Sequence, residues 1–594
     1  MEQTRYSPAV SGLSIFATFT IFLFSSAVAQ VQPEARAGAL PGVMQPDLDH
    51  WDLQAQTDDE LYIPPSVERP LSEEAGPRID VNTLELSIDP KLDSRMTPEL
   101  RASLDQVLNN LVIENQAAGF TIGRLERAAA AVTDHLREGG FILAWAFLPQ
   151  QSVDNKTVVI EVLSGTLEGI NVDGNNRHKT KRLVGPFEDM LGLPVEKDEV
   201  EESILMVRNF PGLSTSAVFS PGSAVGSSML TLRVSEDPFD AAFVVDNHGT
   251  ESTGSNRVRA DLSWYNPFGV GDSLLINVLQ TFDPAENLYG GLQYAVPVFR
   301  PDLTMSLGYS HNAFEVASGL AAGAGVDGKN LAGDTDVGFI GLSKNLHLAR
   351  RSRADLGVDL VIKNAVLENL GRETEDNLTI AVLYFTTELV DRIGNGGINQ
   401  LDLRYHNGIP DFLGSMDESG DGGQSTRTGG SGKAAGGDFN KITLRYQRLQ
   451  RISKRNSLLF RAEAQFSDDL LTSIEQFVIG GPNSVRAYPI AEYLGDEGTF
   501  GSLEWIFQLV DKPNSSFSIS AFGDFANGKL NDPLANEIAD QDLSGWGVGL
   551  SYTRTGDSGN QFGFRLDIAT PTSDPDPSNG DDPQYYGSMF YSFR

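Results

Sequence analysis

Phe562-Gly563-Phe564-Arg565-Leu566-Asp567-Ile568 alternates apolar and polar residues in strict step. Trp546, Val548, Leu550 and Tyr552 alternate in the same way with Gly547, Gly549 and Ser551. Phe460, Ala462, Ala464 and Phe466 alternate with Arg461, Glu463 and Gln465. A period of two is the signature of a strand whose faces meet different media. A sandwich strand also alternates, but there the apolar face points inward, into the core. Aromatics on one face and charges with glycines on the narrow one suit a wide, wet lumen surrounded by lipid. From Phe239 to the end, about 16 such segments can be counted.

The connections give an independent check. Counting strands from Phe239, the even-to-odd links are short: Asn266-Pro267-Phe268-Gly269, Phe299-Arg300-Pro301-Asp302, Ile393-Gly394-Asn395-Gly396, Lys454-Arg455-Asn456 and Asp511-Lys512-Pro513-Asn514. The odd-to-even links include the long ones, near 315–333, 409–437, 482–498, 525–542 and 571–583. Outer-membrane barrels have short periplasmic turns and long external loops. The segregation therefore predicts both the barrel and its orientation.

Composition sets the remaining bounds. A chain of 594 residues holds several domains. Outside the N-terminus no apolar run approaches about 18 residues, so no transmembrane helix is expected in the mature protein. Cysteine is absent, which removes thiol catalysis, disulfides and Cys-based metal sites. A net charge of -35 argues against nucleic acid as a partner.

The N-terminus has the layout of a secretory signal, with Arg5, an apolar stretch Leu13 to Phe24, and Ala27-Val28-Ala29 at the expected cleavage site. Cleavage before Gln30 leaves residues 30–78 as a Pro- and Asp-bearing linker. A short helix is expected around Leu48 to Gln56.

Two small α+β units follow. In 79–168, Leu84, Leu86 and Ile88 read as a strand, and Thr97-Pro98 opens a helix carrying Leu100, Leu104, Leu108 and Leu111. A second helix from Thr121 places Ile122, Leu125, Ala129, Val132 and Leu136 on one face and stops at Gly139-Gly140. Strands are expected over 141–148 and 157–163. Residues 169–236 repeat the order, with helices near 178–191 and 197–210 and a closing hairpin turning at Pro221-Gly222. The predicted fold class is thus α+β modules followed by a transmembrane antiparallel β-barrel over 237–594.

Within the barrel region stands Gly480-Gly481-Pro482-Asn483-Ser484-Val485-Arg486-Ala487-Tyr488-Pro489, between the eleventh and twelfth strands, with Gly495-Asp496-Glu497-Gly498 after it. On the thirteenth strand lies Phe522-Gly523-Asp524-Phe525-Ala526, where alternation puts Ser518, Ser520, Phe522 and Asp524 on one face. These motifs resemble those of the TpsB family, the outer-membrane transporters of two-partner secretion. The family patterns are Val-Arg-Gly-Tyr/Phe preceded by Gly-Gly-x-x-Ser, and Phe/Gly-x-Asp-x-Gly. Ala487 and Ala526 replace family glycines, and Ala resists the positive φ that Gly adopts freely. The two α+β units resemble POTRA domains, and Phe147-Leu148-Pro149-Gln150-Gln151 and Phe210-Pro211-Gly212-Leu213 resemble phrases of the TpsB POTRA pair.

The resemblance covers nearly the whole mature chain. It implies that the loop bearing Gly480, Gly481, Ser484, Val485, Arg486, Ala487 and Tyr488 folds into the lumen. There Arg486 would meet the wall near Phe522, Asp524 and Ala526. It implies POTRA capture of an unfolded client by strand addition to a sheet edge. The partner would be a large secreted exoprotein, a β-helical adhesin, haemolysin or contact-dependent toxin, and the location the outer membrane of a Gram-negative bacterium. No cofactor is implied.

The alternative is a barrel-assembly factor resembling BamA or TamA, which carries more POTRA units. A passive porin would have no use for periplasmic modules. Gly429-Gly430-Ser431-Gly432-Lys433 lacks the first Gly and the Ser/Thr of a phosphate-binding loop and reads as a mobile external tract. Asp417 to Asp421 and Asp574 to Asp582 read as solvated acidic loops. Neither a His-x-x-x-His pair nor a Gly-x-Ser-x-Gly elbow occurs, so neither a metal site nor an enzyme is expected. The final aromatic, Phe593, is penultimate rather than terminal, and insertion is expected despite Arg594.

Overall fold

The computed structural model describes residues 61–62, 76–115, 119–153, 155–250, 253–282, 285–315, 331–369 and 372–593. The expected signal sequence, its cleavage site and the helix near Leu48 to Gln56 lie outside these residues. The chain forms two compact units.

The first unit holds both α+β modules. Its strands are β1 (Leu61–Tyr62), β2 (Thr83–Ile88), β3 (Trp145–Phe147), β4 (Thr157–Leu163), β5 (Thr166–Asp173), β6 (Leu213–Pro221) and β7 (Ser227–Glu236). Its helices are α1 (Pro90–Asp93), α2 (Pro98–Asn115), α3 (Ile122–Glu138), α4 (Thr180–Val184) and α5 (Lys197–Arg208). In the first module β4 is central, parallel to β2 and antiparallel to β3. Thr97 and Thr121 hydroxyls accept the Leu100 and Arg124 amides and so cap α2 and α3. Leu104, Leu108, Leu125, Ala129, Val132 and Leu136 close over Val158, Ile160 and Val162. Ile122, at the first helical position, is 47% exposed and does not join them.

Two expectations need correction. The strand expected over 141–148 shrinks to Trp145–Phe147, because Ile142 turns away and buries itself in the core of the second module. The helix expected near 178–191 is α4 followed by a 3₁₀ segment Gly185–Met190, since Pro186 supplies no amide to continue an α-helix.

In the second module the sheet order is β1-β6-β7-β5. Leu61 and Tyr62, from the stretch read as linker, lie parallel to Ala217 and Val218 and cover the β6 edge. The modules are joined without a spacer. Arg95 Nε reaches Glu196 at 2.7 Å, and Lys91 Nζ donates to the Gly192 carbonyl at 3.0 Å. Gly165, at the junction of β4 and β5, has φ +65°, and a Cβ there would stand 2.3 Å from the Leu143 carbonyl oxygen.

The second unit is a closed antiparallel barrel. Its strands are β8 (Phe239–Asp246), β9 (Asn256–Tyr265), β10 (Ser273–Phe282), β11 (Asn287–Pro297), β12 (Leu303–Glu315), β13 (Leu331–Ala349), β14 (Ser352–Asn369) and β15 (Arg372–Asp391). They continue with β16 (Gly397–Gly408), β17 (Asn440–Arg451), β18 (Asn456–Phe466), β21 (Glu497–Lys512), β22 (Ser515–Lys529), β23 (Asp540–Thr555), β24 (Gln561–Pro571) and β25 (Gln584–Phe593), which pairs with β8. A small inner hairpin, β19 (Phe477–Ile479) and β20 (Tyr493–Gly495), lies between β18 and β21.

Closure leaves no strand edge facing lipid, the condition for a sheet to cross a bilayer. Trp546, Val548, Phe460 and Leu566 are among the exposed outer residues, while Arg461, Arg565 and Asp567 point inward. β15, at 20 residues, is far longer than the 9–11 or so a span needs, so the strands project beyond the bilayer.

Gly165→Ala should destabilise the first unit by about 2 kcal/mol or more, the sum of a left-handed φ and a backbone clash. Hydrogen exchange on the full-length protein should show faster exchange in β4 and β5 and an unchanged barrel. Wild-type protection in both strands would show that the junction is not constrained in this way.

Candidate functional site

The loop between β18 and β21 runs from 467 to 496, longer than the 482–498 expected, and enters the barrel. Its tip is a tight knot. The Gly481 amide donates to the Tyr488 carbonyl, the Ser484 amide to Gly481, and the Tyr488 amide to Val485, at 3.0–3.1 Å. Gly480 and Gly481 both have φ +97°, and a Cβ on Gly480 would lie 2.3 Å from the Pro489 carbonyl oxygen. These two positions need glycine.

Position 487 does not. Ala487 is absent from the positive-φ residues of the chain, whereas Ala491 takes φ 56°. Ala487 instead sets its methyl against β23, where a Cβ on Gly545 would stand 2.3 Å from it. Ala487, in place of the family glycine, is accommodated by a glycine on the wall.

Arg486 is 1% exposed. Its Nε and Nη2 each lie 2.8 Å from an oxygen of Asp524 on β22, a bidentate pair, and its backbone amide donates to the same carboxylate at 3.2 Å. Nη1 reaches Glu504 on β21 at 2.9 Å, and Asp567 on β24 lies 3.7 Å away. The guanidinium carbon stands 3.2 Å from the ring centroid of Phe522. Arg565 bonds Glu504 and Asp567, each at 2.8 Å. Arg461 Nη2 donates to Ser502, whose hydroxyl in turn donates to Asp524 at 2.7 Å. Three guanidiniums (Arg461, Arg486, Arg565) thus face three carboxylates (Glu504, Asp524, Asp567), and the cluster is formally neutral. Planar, always-charged guanidinium suits this multidentate role; an ammonium would make fewer of the contacts.

Around the charges the packing is apolar. Val485, Ala487 and Tyr488 are buried with Phe500, Phe522, Ala526, Leu543 and Ala569. The lumen is therefore not wet throughout. The loop brings its own apolar side chains inside, and the wall beneath answers them with apolar residues. Tyr488 Oη donates to the Ser573 carbonyl, and Tyr586 of β25 donates to the Tyr488 carbonyl, both at 2.7 Å. Ser484 Oγ is buried and has no hydrogen-bond partner among the described residues.

A second anchor holds the other limb, and the sequence reading missed it. Glu475, 1% exposed, lies 2.6 Å from Lys363 of β14 and 2.7 Å from Lys441 of β17. Its carbonyl accepts from Lys441 Nζ and Gln465 Nε2 at 2.9 Å. Arg427, from the 409–439 loop, pairs with Asp496, and Asp496 accepts the Leu471 and Asn531 amides. Three external loops are thereby tied together. Gly430 and Ser431 donate to Asp532 at 2.9 and 3.0 Å, so the Gly/Ser tract expected to be mobile is pinned by its neighbour. Only the three-dimensional wall reveals why a lone Glu475 matters. Its sequence signal is a single acidic residue in a short polar link.

Asp417 folds back on the Ser419 and Asp421 amides. Among the described residues no group of His, Asp and Glu is arranged to hold a metal ion.

A closed sixteen-stranded barrel with an inward-folded loop, together with two α+β modules ahead of it in the chain, defines an outer-membrane β-barrel of the transporter class. Residues 226–552 match the family described as haemolysin secretion/activation protein ShlB/FhaC/HecB, and 101–165 match the ShlB-type POTRA domain. The outer membrane transporter CdiB of Escherichia coli is 25% identical over 581 residues, covering 95% of this chain and 92% of that protein. The heme/hemopexin transporter protein HuxB of Haemophilus influenzae strain 86-028NP is 23% identical over 84% of this chain and 86% of its own. The solved structure of Escherichia coli CdiB superposes with TM-score 0.63 at 22% identity, over 89% of this chain and 93% of that one. BamA from Haemophilus ducreyi lacking POTRA domains 1-3 does so with TM-score 0.50 at 13% identity, over 86% and 100%, a likeness of fold. The chain belongs to the ShlB/FhaC/HecB family, the TpsB transporters of two-partner secretion. It resides in the outer membrane with its POTRA domains in the periplasm.

Removing one partner of a buried ion pair costs about 3–5 kcal/mol. In this Cys-free chain a Ser484→Cys thiol should react slowly with an impermeant maleimide. Adding Arg486→Ala or Glu475→Gln should speed labelling about tenfold or more, as the loop spends time away from the wall. Unchanged rates in both would show that neither anchor holds the loop.

Proposed function

We propose that the barrel exports a large, unfolded exoprotein, with the 467–496 loop as its gate and Arg486 as the residue that closes it. The division of labour follows the expected segments: a cleaved signal over 1–29, a linker over 30–78, POTRA modules over 79–168 and 169–236, and the barrel over 237–594. The single observation carrying the gate reading is the seating of Arg486 among Asp524, Glu504 and the Phe522 ring inside the barrel. A contact of that strength keeps the gate shut at rest yet remains reversible, because no covalent bond is involved.

Client capture is assigned to the POTRA sheets. The β6 edge of the second module is already covered by Leu61–Tyr62, while β2 is an edge strand of six residues in the first. An extended client segment would add there through main-chain hydrogen bonds. No bond-making chemistry is required, and the chain is not read as an enzyme. Direction comes from folding of the client at the cell surface, where burial of apolar surface prevents return. The family match favours this reading over a barrel-assembly role.

Deleting the gene should remove one large exoprotein from the surface and medium while other outer-membrane proteins stay normal. A joint fall of many barrel proteins would instead establish the assembly role. Arg486→Ala should cut secretion at least tenfold with the barrel still present in outer-membrane fractions. Arg486→Lys should not restore it, since it loses the bidentate geometry. Wild-type secretion by Arg486→Ala would remove the gate role. For capture, Ser87→Cys on β2 should crosslink to a cysteine in the client's N-terminal segment, and Glu114→Cys on α2 should not. Equal crosslinking at both would exclude edge addition at β2.

A further inference from the structure

The chain carries 80 acidic and 45 basic residues, yet three consecutive periplasmic turns reverse that balance. Residues 349–353, 391–396 and 451–456 hold Arg350, Arg351, Arg353, Arg392, Arg451, Lys454 and Arg455 against Asp391, and of these Arg353 is paired with Asp355 at 2.6 Å just beyond its turn. Asp391 is already engaged by Arg448 at 2.6 Å. Arg351, Arg392, Lys454 and Arg455 are exposed. The other short turns show no such excess: Arg300 pairs with Asp302 at 3.0 Å, Lys512 follows Asp511, and 556–560 holds only Asp557.

The three turns form a preorganised rim. The Val390 amide donates to the Arg351 carbonyl at 2.7 Å, Gln450 Nε2 to the Ile393 carbonyl at 3.1 Å, and the Arg451 amide to Gly396 at 3.0 Å. Successive turns on one rim lie two strand spacings apart, about 10 Å. Large apolar side chains are exposed at the same level: Ile393 at 69%, Leu346 at 52%, Ile452 at 47% and Leu389 at 46%. A row of cations beside outward aliphatic residues, at the end of lipid-facing strands, matches the boundary where acyl chain gives way to headgroup.

We propose that this rim, from the turn after β13 to the turn before β18, docks anionic phospholipid headgroups of the periplasm-facing leaflet. The phosphodiesters of lipids such as phosphatidylglycerol would be held in the two gaps of the rim, between Arg351 and Arg392 and between Arg392 and the Lys454–Arg455 pair, their chains lying along Leu346, Leu389 and Ile452. The exposed aliphatic residues favour a lipid over an acidic soluble protein, whose charge alone would not need them.

The test uses the purified full-length protein, delipidated and returned to mixed micelles of phosphatidylglycerol and phosphatidylcholine. Protein-bound lipid is then counted by native mass spectrometry. The wild type should retain phosphatidylglycerol about tenfold over phosphatidylcholine, and lose that preference near 0.5 M salt, where screening acts over ~4 Å. Arg351→Gln/Arg392→Gln and Lys454→Gln/Arg455→Gln should each weaken the preference and together abolish it, while Arg300→Gln/Lys512→Gln leaves it intact. Heat-modifiable migration on gels checks that each variant keeps its barrel. Retention of the preference by the four-site variant overturns the proposal. So does its displacement by millimolar inorganic phosphate or glycerophosphate, which would mark a free-phosphate site. Binding of an acidic peptide without lipid preference would make the rim a protein dock and overturn it equally.

Discussion

A guanidinium withdrawn from water inside a barrel is tolerated only if its charge is matched on the spot. Burying an unpaired ion costs several kcal/mol even after relaxation. The wall meets Arg486 with Asp524 and Glu504, then balances their surplus with Arg565 and Arg461, and Asp567 closes the count. The loop's path follows from this requirement. Its tip can rest only where β21, β22 and β24 present that constellation, and the knot at Gly480-Gly481 holds Arg486 at the necessary reach.

Polar matching fixes the position, and apolar packing fixes the fit. Ala487 against Gly545, Tyr488 beneath Tyr586, and Val485 with Phe500 and Phe522 leave no gap for a larger side chain at the tip. On β21 to β24, apolar inward residues such as Phe500, Phe522, Leu543 and Ala569 accordingly stand beside the charged ones. A barrel wide enough to conduct a chain must be filled when idle. The filling here is a loop with a small core of its own.

Much of this was legible in the sequence because the bilayer imposes a period of two and an asymmetry of loop length, both local properties of the chain. Residues such as Trp546, Arg565 and Asp524 reveal their faces by alternation alone. Partnership is not local. Nothing near Glu475 in sequence points to Lys363 or Lys441, which lie on strands far apart along the chain. Arg565 and Asp567 were visible as inward residues but not as partners of Glu504 and Arg486. The concern over Ala487 arose from treating a family glycine as a demand for positive φ, when the strain sits at Gly480, Gly481 and Ala491. The shortened β3 likewise reflects packing between modules, through Ile142, that no single-module pattern displays.

Two anchors on different stretches of the wall change what the lumen becomes when the loop leaves. Without Arg486, the patch on β18 to β24 retains Arg461 and Arg565 against Glu504, Asp524 and Asp567, a formal charge of 2 − 3 = −1. Without Glu475, Lys363 and Lys441 lose the carboxylate they share, which leaves a formal charge of +2 between them. The emptied lumen is therefore polarised rather than neutral. On the proposed gating, a passing chain of mixed charge would meet complementary groups on both sides, and the same imbalance would draw Arg486 and Glu475 back. If the loop gates the barrel as proposed, the charges that seat it are also the ones an exported chain would meet, and their imbalance would favour the loop's return.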